Sequence, residues 1–252
     1  MTESEKAVVS DGTLAVDARV VMVSGGARGI GRAITNRLLD EGYRVSIGVR
    51  DVAKAGQEFA GWPGDQLLCS EFDAVEPASA ETWVNRTIEA FGQIDALVNN
   101  AGIWKQVNFE SGDEADLDAM WEVNAKAPFR LTRLTLPHLR KCGHGRVVNI
   151  ASTDGIRFRD SSCSIGYTMS KHALMAVSHA TRQFGYDDGV RATALCPGAV
   201  ATEMIAGLPG VTPTAQQLDP ATIAGLVAML LQLPNNASVA WMPVNTRLES
   251  TL

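Results

Sequence analysis

The chain has 252 residues, of which 46% are hydrophobic and 20% charged, a composition typical of one large soluble α/β domain or two small ones. Its net charge of -6 argues against a nucleic-acid partner, which a basic patch or a high pI would indicate. We expect no secretory signal, because the first residues lack a basic start followed by an apolar run. The most apolar helical stretch, residues 221–233, is too short to span a bilayer. These features predict a cytoplasmic protein without a membrane partner.

The cysteines and histidines form no recognisable metal-binding pattern. None of the 4 cysteines belongs to a Cys-x-x-Cys pair, and the 4 histidines form no His-Glu-x-x-His pattern. We therefore expect no resident metal and interpret the cysteines as buried free thiols: Cys69, Cys142, Cys163 and Cys196.

Short, continuous apolar runs alternate with helical patterns along the chain, which is typical of a parallel sheet covered by helices on both faces. We predict one Rossmann-like doubly wound domain over residues 19–252, preceded by a partly flexible extension over residues 1–18. The predicted strands are residues 19–23, 44–49, 67–72, 96–98, 145–150, 191–195 and 239–245, and the predicted helices include residues 29–40 and 79–91.

Residues 199–218 differ from the rest of the chain because they are rich in glycine and proline and show little periodicity. They follow the end of the sixth strand, where ligands bind in sheets of this kind. The segment is interpreted either as a mobile substrate loop or as a plain connector.

A glycine-rich turn joins the first strand to the first helix. It comprises Ser24, Gly25, Arg28, Gly29, Ile30 and Gly31, with Gly26 and Ala27 between them. Glycines allow a tight turn and close approach of the backbone to a pyrophosphate, and a helix N-terminus offers free N–H groups to phosphate. The turn therefore predicts a dinucleotide site.

The end of the second strand indicates which dinucleotide is bound. An NAD site would carry a carboxylate there, but Val49 occupies that position and Arg50 follows it. Together with Arg28, Arg50 would clamp a 2′-phosphate, so NADP(H) is favoured over NAD(H). Asp51 is interpreted as a helix N-cap. The alternative is that both arginines are solvated surface charges.

Tyr167 and Lys171 are four residues apart, which places them on the same face of a helix. A nearby ammonium favours the phenolate, so we expect a lowered tyrosine pKa and proton exchange with an alcohol or carbonyl. A serine at a neighbouring strand end, Ser152, would hold the same substrate oxygen.

A further helix is predicted to begin near Gly112, because Ser111 and Glu114 have the spacing of a capping box. Asn124 then falls on its buried face, where an asparagine needs hydrogen-bond partners.

Four motifs follow one another between about residue 19 and about residue 202, and together they resemble the short-chain dehydrogenase/reductase family. They are the glycine turn, Asn99-Asn100-Ala101-Gly102, Ser152 with Tyr167-x-x-x-Lys171, and Pro197-Gly198-x-Val200-x-Thr202.

The resemblance implies a role for each matching residue. Tyr167 would be the acid/base, Lys171 would also bind the nicotinamide ribose, and Asn124 would complete a proton relay through a water near Lys171. The other positions would contact the cofactor or support its site. Those on the adenine side are Asp73, Asn100, Ala101 and Gly102, and those at the nicotinamide are Pro197, Gly198, Val200 and Thr202.

The expected activity is NADPH-dependent reduction of a ketone or aldehyde to an alcohol. The alternatives are an NAD-dependent alcohol or hydroxy-acid dehydrogenase, an epimerase-like enzyme, and a non-catalytic nucleotide-binding regulator. Arg157 and Arg159 would attract an anionic substrate or remain solvated, and Trp104 and Lys105 would line the same cleft. The family commonly forms homotetramers, so a homotetramer or homodimer is expected, with Leu131, Leu134 and Leu136 in the interface or the core.

Overall fold

The computed structural model describes residues 12–206 and 212–246. Seven parallel strands form one sheet in the order β3-β2-β1-β4-β5-β6-β7. The predicted doubly wound α/β class is confirmed. The strands are β1 (Val20–Ser24), β2 (Arg44–Val49), β3 (Leu67–Glu71), β4 (Ala96–Asn99), β5 (Arg146–Ile150), β6 (Arg191–Pro197) and β7 (Trp241–Val244).

Helices cover both faces of the sheet, because the side chains of each strand alternate between two buried layers. In β1, Val21 and Val23 face one layer and Met22 faces the other. The helices are α1 (Gly29–Asp40), α2 (Val52–Glu58), α3 (Pro77–Phe91), α4 (Glu114–Trp121), α5 (Ala127–Lys141), α6 (Ile165–Gly185) and α7 (Pro220–Gln232).

The strand order reverses direction between β1 and β4, which are direct neighbours. In open parallel sheets the crevice at the carboxyl ends of the strands at such a reversal is where ligands bind. The glycine turn follows β1 and the Asn100 segment follows β4. The topology thus brings two of the predicted motifs to one crevice.

The structure bears on three details of the sequence-based expectations. Helix α4 begins at Glu114 and is capped by the Asp113 side chain, which accepts a hydrogen bond from the Asp116 N–H, so the proposed capping box at Ser111 is wrong. The described part of the N-terminal extension is packed: Leu14 is buried and its N–H bonds to the Gln232 carbonyl. The leucines of α5 belong to the core: Leu131, Leu134 and Leu136.

Among the described helices, none combines the length and apolarity needed to cross a membrane. All four cysteines are free thiols; Cys163 and Cys196 are buried, while Cys69 and Cys142 are partly accessible.

Candidate active site

The glycine turn is tightly packed against the strands around it. Gly25 has φ of 67°, in the left-handed region that favours glycine. A Cβ added to Gly31 would lie 2.1 Å from the Gly25 carbonyl oxygen, and one added to Gly26 would lie 2.5 Å from Cγ2 of Ile47. Any side chain at these positions would push α1 away from the sheet, so the turn needs glycine for steric reasons.

Ser24 joins the ends of β1 and β4. Its hydroxyl accepts hydrogen bonds from the N–H groups of Asn100 and Ala101, each at 3.0 Å. The Asn100 amide in turn donates to the carbonyls of Ser24 and Gly25, at 2.9 and 3.2 Å. These bonds hold the glycine turn against the second strand end, as expected for residues that stabilise the sheet beside a cofactor.

Helix α1 begins at this turn without a side-chain cap, since the N-cap residue Arg28 makes no capping hydrogen bond. By contrast, Asp51, Asp113, Ser164 and Asp219 cap other helices with their side chains. The uncapped N–H groups of α1 and the positive end of its dipole face the crevice, which suits a pyrophosphate. The site therefore fits a dinucleotide.

Arg28 and Arg50 lie beyond the carboxyl ends of adjacent strands, because Ser24 of β1 pairs with Gly48 of β2. Both arginines are exposed, and no described residue forms an ion pair with either. Asp51 caps α2 as predicted, accepting a hydrogen bond from the Lys54 N–H at 2.9 Å. The end of β2 thus presents one free guanidinium and no free carboxylate of its own.

Asp73 follows β3 at the same edge of the sheet. Its carboxylate accepts a hydrogen bond from the Val75 N–H at 3.2 Å, and its backbone bonds to Ser79 at the start of α3. The residue shapes its own loop and stays partly exposed.

The Pro197 segment leaves β6 next to the glycine turn. The Gly198 N–H donates to the Val244 carbonyl at 2.8 Å, and Val200 is buried. Thr202 lies beside Gly29, whose added Cβ would meet the threonine Cγ2 at 3.4 Å. A parallel bridge between Val200 and Leu218 closes the following loop at its base. Gly207, Pro209 and Gly210, which suggested mobility in that loop, lie outside the described residues.

Tyr167 is in the first turn of α6, which Ser164 caps by accepting a hydrogen bond from the Tyr167 N–H at 3.2 Å. The pKa of Tyr167 is raised above its ordinary value, first by burial and then by the negative charge of Asp154. A hydrogen bond with the Ser152 side chain opposes this rise in pKa. The expected lowering of the tyrosine pKa is therefore wrong for this structure, although the pairing of Ser152 and Tyr167 is present.

Lys171 is buried one turn after Tyr167. Its Nζ lies 5.6 Å from the centroid of the Tyr167 ring and donates a hydrogen bond to the Ile150 carbonyl at 2.8 Å. Burial lowers the pKa of this ammonium to about 8. The cation therefore faces the ring of the tyrosine and is anchored to the end of β5.

Asn124 lies in a single π-helical turn, Glu122–Lys126, between α4 and α5, and is fully buried. Its side chain accepts a hydrogen bond from the Ile103 N–H at 2.9 Å. It donates to the Ile103 carbonyl at 2.9 Å and to the Ser170 hydroxyl at 3.0 Å. The amide is thus committed to protein partners and serves as a structural clamp. Gly102 fits between Asn124 and Lys171, since its added Cβ would lie 3.3 Å from Oδ1 and 3.7 Å from Nζ.

A cleft of about 140 Å³ opens beside Ser152 and Tyr167. Trp104 lines it, as predicted, and so does Arg159, whereas Lys105 forms an ion pair with Asp116 instead. Arg157 is also not among the lining residues. The described part of the 199–218 segment contributes Ala199, Met204, Ile205 and Thr212.

Several polar groups that line this cleft received no role from the sequence, among them Asp154 and Asn245. Asp154 comes two positions after Ser152, and that proximity was the available signal. Asn245 reaches the cleft only because β7 pairs with β6, and no pattern in the sequence indicates this pairing.

A separate polar cluster lies at the opposite, amino end of the strands. Asp95, Cys142 and His144 offer ligand atoms within 4.8 Å of one another. Two buried arginines, Arg19 and Arg146, face the same region. Burial raises the pKa of the Cys142 thiol to about 11. Two guanidinium charges and a protonated thiol disfavour a metal cation, so we assign no metal site there.

The comparison with known proteins agrees with this geometry. The family model described as short chain dehydrogenase matches residues 19–209. An agropine synthesis reductase of Rhizobium rhizogenes is 41% identical over 221 residues, which cover 87% of this chain and 50% of that protein. The chain thus spans about half the length of this relative. Levodione reductase of Leifsonia aquatica is 34% identical over 209 residues, covering 80% of this chain and 74% of that one.

The solved structures include a levodione reductase with a TM-score of 0.82 at 29% identity, covering 92% of this chain and 98% of the other. A second structure, that of gox2181, has a TM-score of 0.84 at 22% identity and supports the fold alone.

Proposed function

The chain belongs to the short-chain dehydrogenase/reductase family, and we propose that it reduces a ketone or aldehyde to an alcohol with NADPH as cofactor. The observation that carries this proposal is that Ser152 and Tyr167 line one cleft together while the Lys171 ammonium lies 5.6 Å from the centroid of the Tyr167 ring. The uncapped N-terminus of α1 adds a place for the cofactor. Two relatives that are named reductases support the oxidoreductase class.

The proton in this reaction would come from Tyr167. When bound, NADPH supplies the hydride. Because burial raises the pKa of Tyr167, the phenol stays protonated at neutral pH and is ready to donate to a substrate oxygen. The Ser152 hydroxyl lies within hydrogen-bonding reach of the phenol, so both groups can hold that oxygen.

Lys171 would stabilise the phenolate that remains after the proton is donated, since a cation in a buried site favours a nearby anion. One of its three N–H donors is committed to the Ile150 carbonyl. The other two remain for ribose hydroxyls. The proposed relay past Asn124 would use the main chain of that residue, because its side-chain amide is occupied by Ile103 and Ser170.

The remaining predicted cofactor contacts are part of the same proposal. The N–H groups that open α1 would bind the pyrophosphate, and Arg28 and Arg50 would bind a 2′-phosphate. Two features support NADP(H): neither arginine has a partner among the described residues, and buried Val49 occupies the position where NAD sites carry a carboxylate.

The activity is tested by mixing the purified protein with a panel of ketones and aldehydes and following the loss of NADPH absorbance. Net consumption of NADPH is expected, whereas an epimerase would return its hydride and consume none. Absence of consumption across the panel would contradict the proposal.

The nucleotide preference is tested by measuring Kd for NADPH and NADH. Replacing Arg50 with Ala should weaken NADPH binding by about 10- to 100-fold, since hydrogen bonds to charged groups contribute about 1.5–3 kcal/mol. NADH binding should be unchanged. Arg133→Ala, which removes an exposed guanidinium from α5, is the control. Tighter binding of NADH than of NADPH by the wild type would refute the arginine clamp.

We also propose that the protein is a cytoplasmic homotetramer or homodimer. Trp121 and Phe129, on either side of the π-helical turn, and Met169 on α6 are large apolar side chains that are 41–55% exposed. Such side chains are typical of surfaces that bury against another subunit. Light scattering of the purified protein measures the oligomeric state, and a monomer would contradict this part of the proposal.

A further inference from the structure

The Asp154 carboxylate lines the cleft beside Tyr167 and lacks a protein partner. No described residue donates a hydrogen bond to it or forms an ion pair with it. The Arg159 guanidinium, which also lines the cleft, bonds instead to Asp160 at 2.9 Å and to Ser162 at 3.2 Å. A half-buried carboxylate without a partner is costly, and a ligand that pairs with it recovers part of that free energy.

The backbone that carries this carboxylate is anchored at two points. Asp154 is in the helical turn Thr153–Gly155, and its N–H donates to the Ser152 hydroxyl oxygen at 3.1 Å. The next residue packs directly on α6, since a Cβ at Gly155 would lie 3.0 Å from the Lys171 carbonyl oxygen. The backbone of Asp154 is therefore held next to the residues that would bind the reacting oxygen.

Its charge also acts on the proposed acid. The negative charge of Asp154 raises the pKa of Tyr167 and so opposes formation of the phenolate. A cation bound at Asp154 would cancel this effect during proton donation. With a neutral substrate, the Asp154 carboxylate and the Tyr167 phenolate would face each other as two negative charges.

We propose that Asp154 is a specificity-determining residue, which selects substrates that carry a protonated amine next to the reacting carbonyl. The inference rests on the proposed reductase activity, because it assigns the substrate class of that site. The charged groups around the carboxylate fit this assignment. Arg159, Arg157 and His172 lie within electrostatic range but leave it unpaired, and Asp160 adds a second negative charge.

The test compares three ketones of similar size: aminoacetone, hydroxyacetone and butan-2-one. We expect wild-type kcat/KM for aminoacetone to exceed that for butan-2-one by at least about tenfold, the effect of a hydrogen bond to a charged group. Asp154→Asn keeps the shape of the side chain and removes its charge. It should abolish this preference, mainly by raising KM for aminoacetone. It should not lower kcat/KM for butan-2-one, because it removes the charge that opposes formation of the phenolate. Asp118→Asn, on the exposed side of α4, is the control for net charge.

A second measurement does not depend on turnover. With NADPH present, which cannot oxidise an alcohol, binding of 1-amino-2-propanol and of butan-2-ol is measured by calorimetry in both proteins. Amine binding that Asp154→Asn weakens tenfold, without turnover of any ketone, would leave the inference standing and refute the reductase activity. Turnover of butan-2-one without a preference for the amine would refute the inference and leave the reductase activity standing. If Asp154→Asn lowers activity on hydroxyacetone as much as on aminoacetone, Asp154 recognises a hydrogen-bond donor and the inference is overturned.

Discussion

The ammonium of Lys171 lies 5.6 Å from the centroid of the Tyr167 ring, and its hydrogen bond goes to the Ile150 carbonyl. The cation therefore faces the ring, and burial dominates the pKa of the phenol. A raised pKa keeps the tyrosine protonated, which suits an acid that donates to a carbonyl oxygen. This geometry and the groups around it lead to four predictions.

Replacing Tyr167 with Phe should reduce kcat by about 100- to 10,000-fold, the usual contribution of a general acid. NADPH binding, measured by fluorescence, should remain within about threefold of the wild type, because the ring still packs in place. Tyr186→Phe, at an exposed tyrosine that stacks on Arg191, is the matched control and should retain full activity. Retained turnover in Tyr167→Phe would refute the proposed acid.

The stability contributed by Lys171 should depend on pH. Burial lowers its pKa to about 8, below the ordinary value for lysine of about 10.4, so the unfolded chain binds more protons between these values. The free energy of unfolding of the wild type, relative to Lys171→Met, should therefore rise as the pH increases from about 8 to about 10. Urea titrations at several pH values measure this, with Lys54→Met on exposed α2 as the control. A difference that is constant across this range would contradict the prediction.

Replacing Asn124 with Ala should lower the free energy of unfolding by about 1–3 kcal/mol for each buried group left without a partner. The backbone N–H and carbonyl of Ile103 both lose their partner in this variant. Asn36→Ala, at an exposed position of α1, should be neutral or slightly stabilising. Equal stability of the two variants in urea would show that the clamp contributes nothing.

Replacing Gly31 with Ala should both destabilise the fold and weaken NADPH binding. The added Cβ would lie 2.1 Å from the Gly25 carbonyl oxygen, so α1 must move away from the turn whose N–H groups would hold the pyrophosphate. Gly56→Ala is the matched control, because a Cβ there meets nothing within 4 Å in α2 and should stabilise by about 0.5–1 kcal/mol. Thermal unfolding and NADPH titration measure both effects, and unchanged affinity in Gly31→Ala would contradict the steric argument.

Much of the fold could be predicted because its signals are local. The apolar runs of β1 and β2, the glycine turn and the Asp51 cap each depend on residues close together in the chain. The start of α4 was misplaced by two positions because Ser111 and Asp113 both suit an N-cap, and the neighbouring loop selects between them.

The sequence predicted which side chains meet at the site better than it predicted their pKa values and hydrogen bonds. The motif spacing correctly brought Ser152, Tyr167 and Lys171 together, since helix geometry and a strand end place them. The direction of the Tyr167 pKa was wrong, because it depends on burial and on Asp154, and both arise from packing between separate elements. The same reason explains why the Asn124 side chain bonds to Ile103 and Ser170.

The order of residues along the chain is thus enough to define the family, the parallel sheet and the candidates for the reacting side chains, because each follows from contacts within a few positions or from recurrent motifs. The electrostatic state of those side chains and the lining of the cleft come from folding. Asp154, Arg159 and Asn245 meet at one cavity because β5, the loop before α6 and β7 converge there. Burial and nearby charges then shift the pKa values of these side chains. The groups responsible are close in space but belong to separate elements, so their spacing in the sequence does not predict the effect.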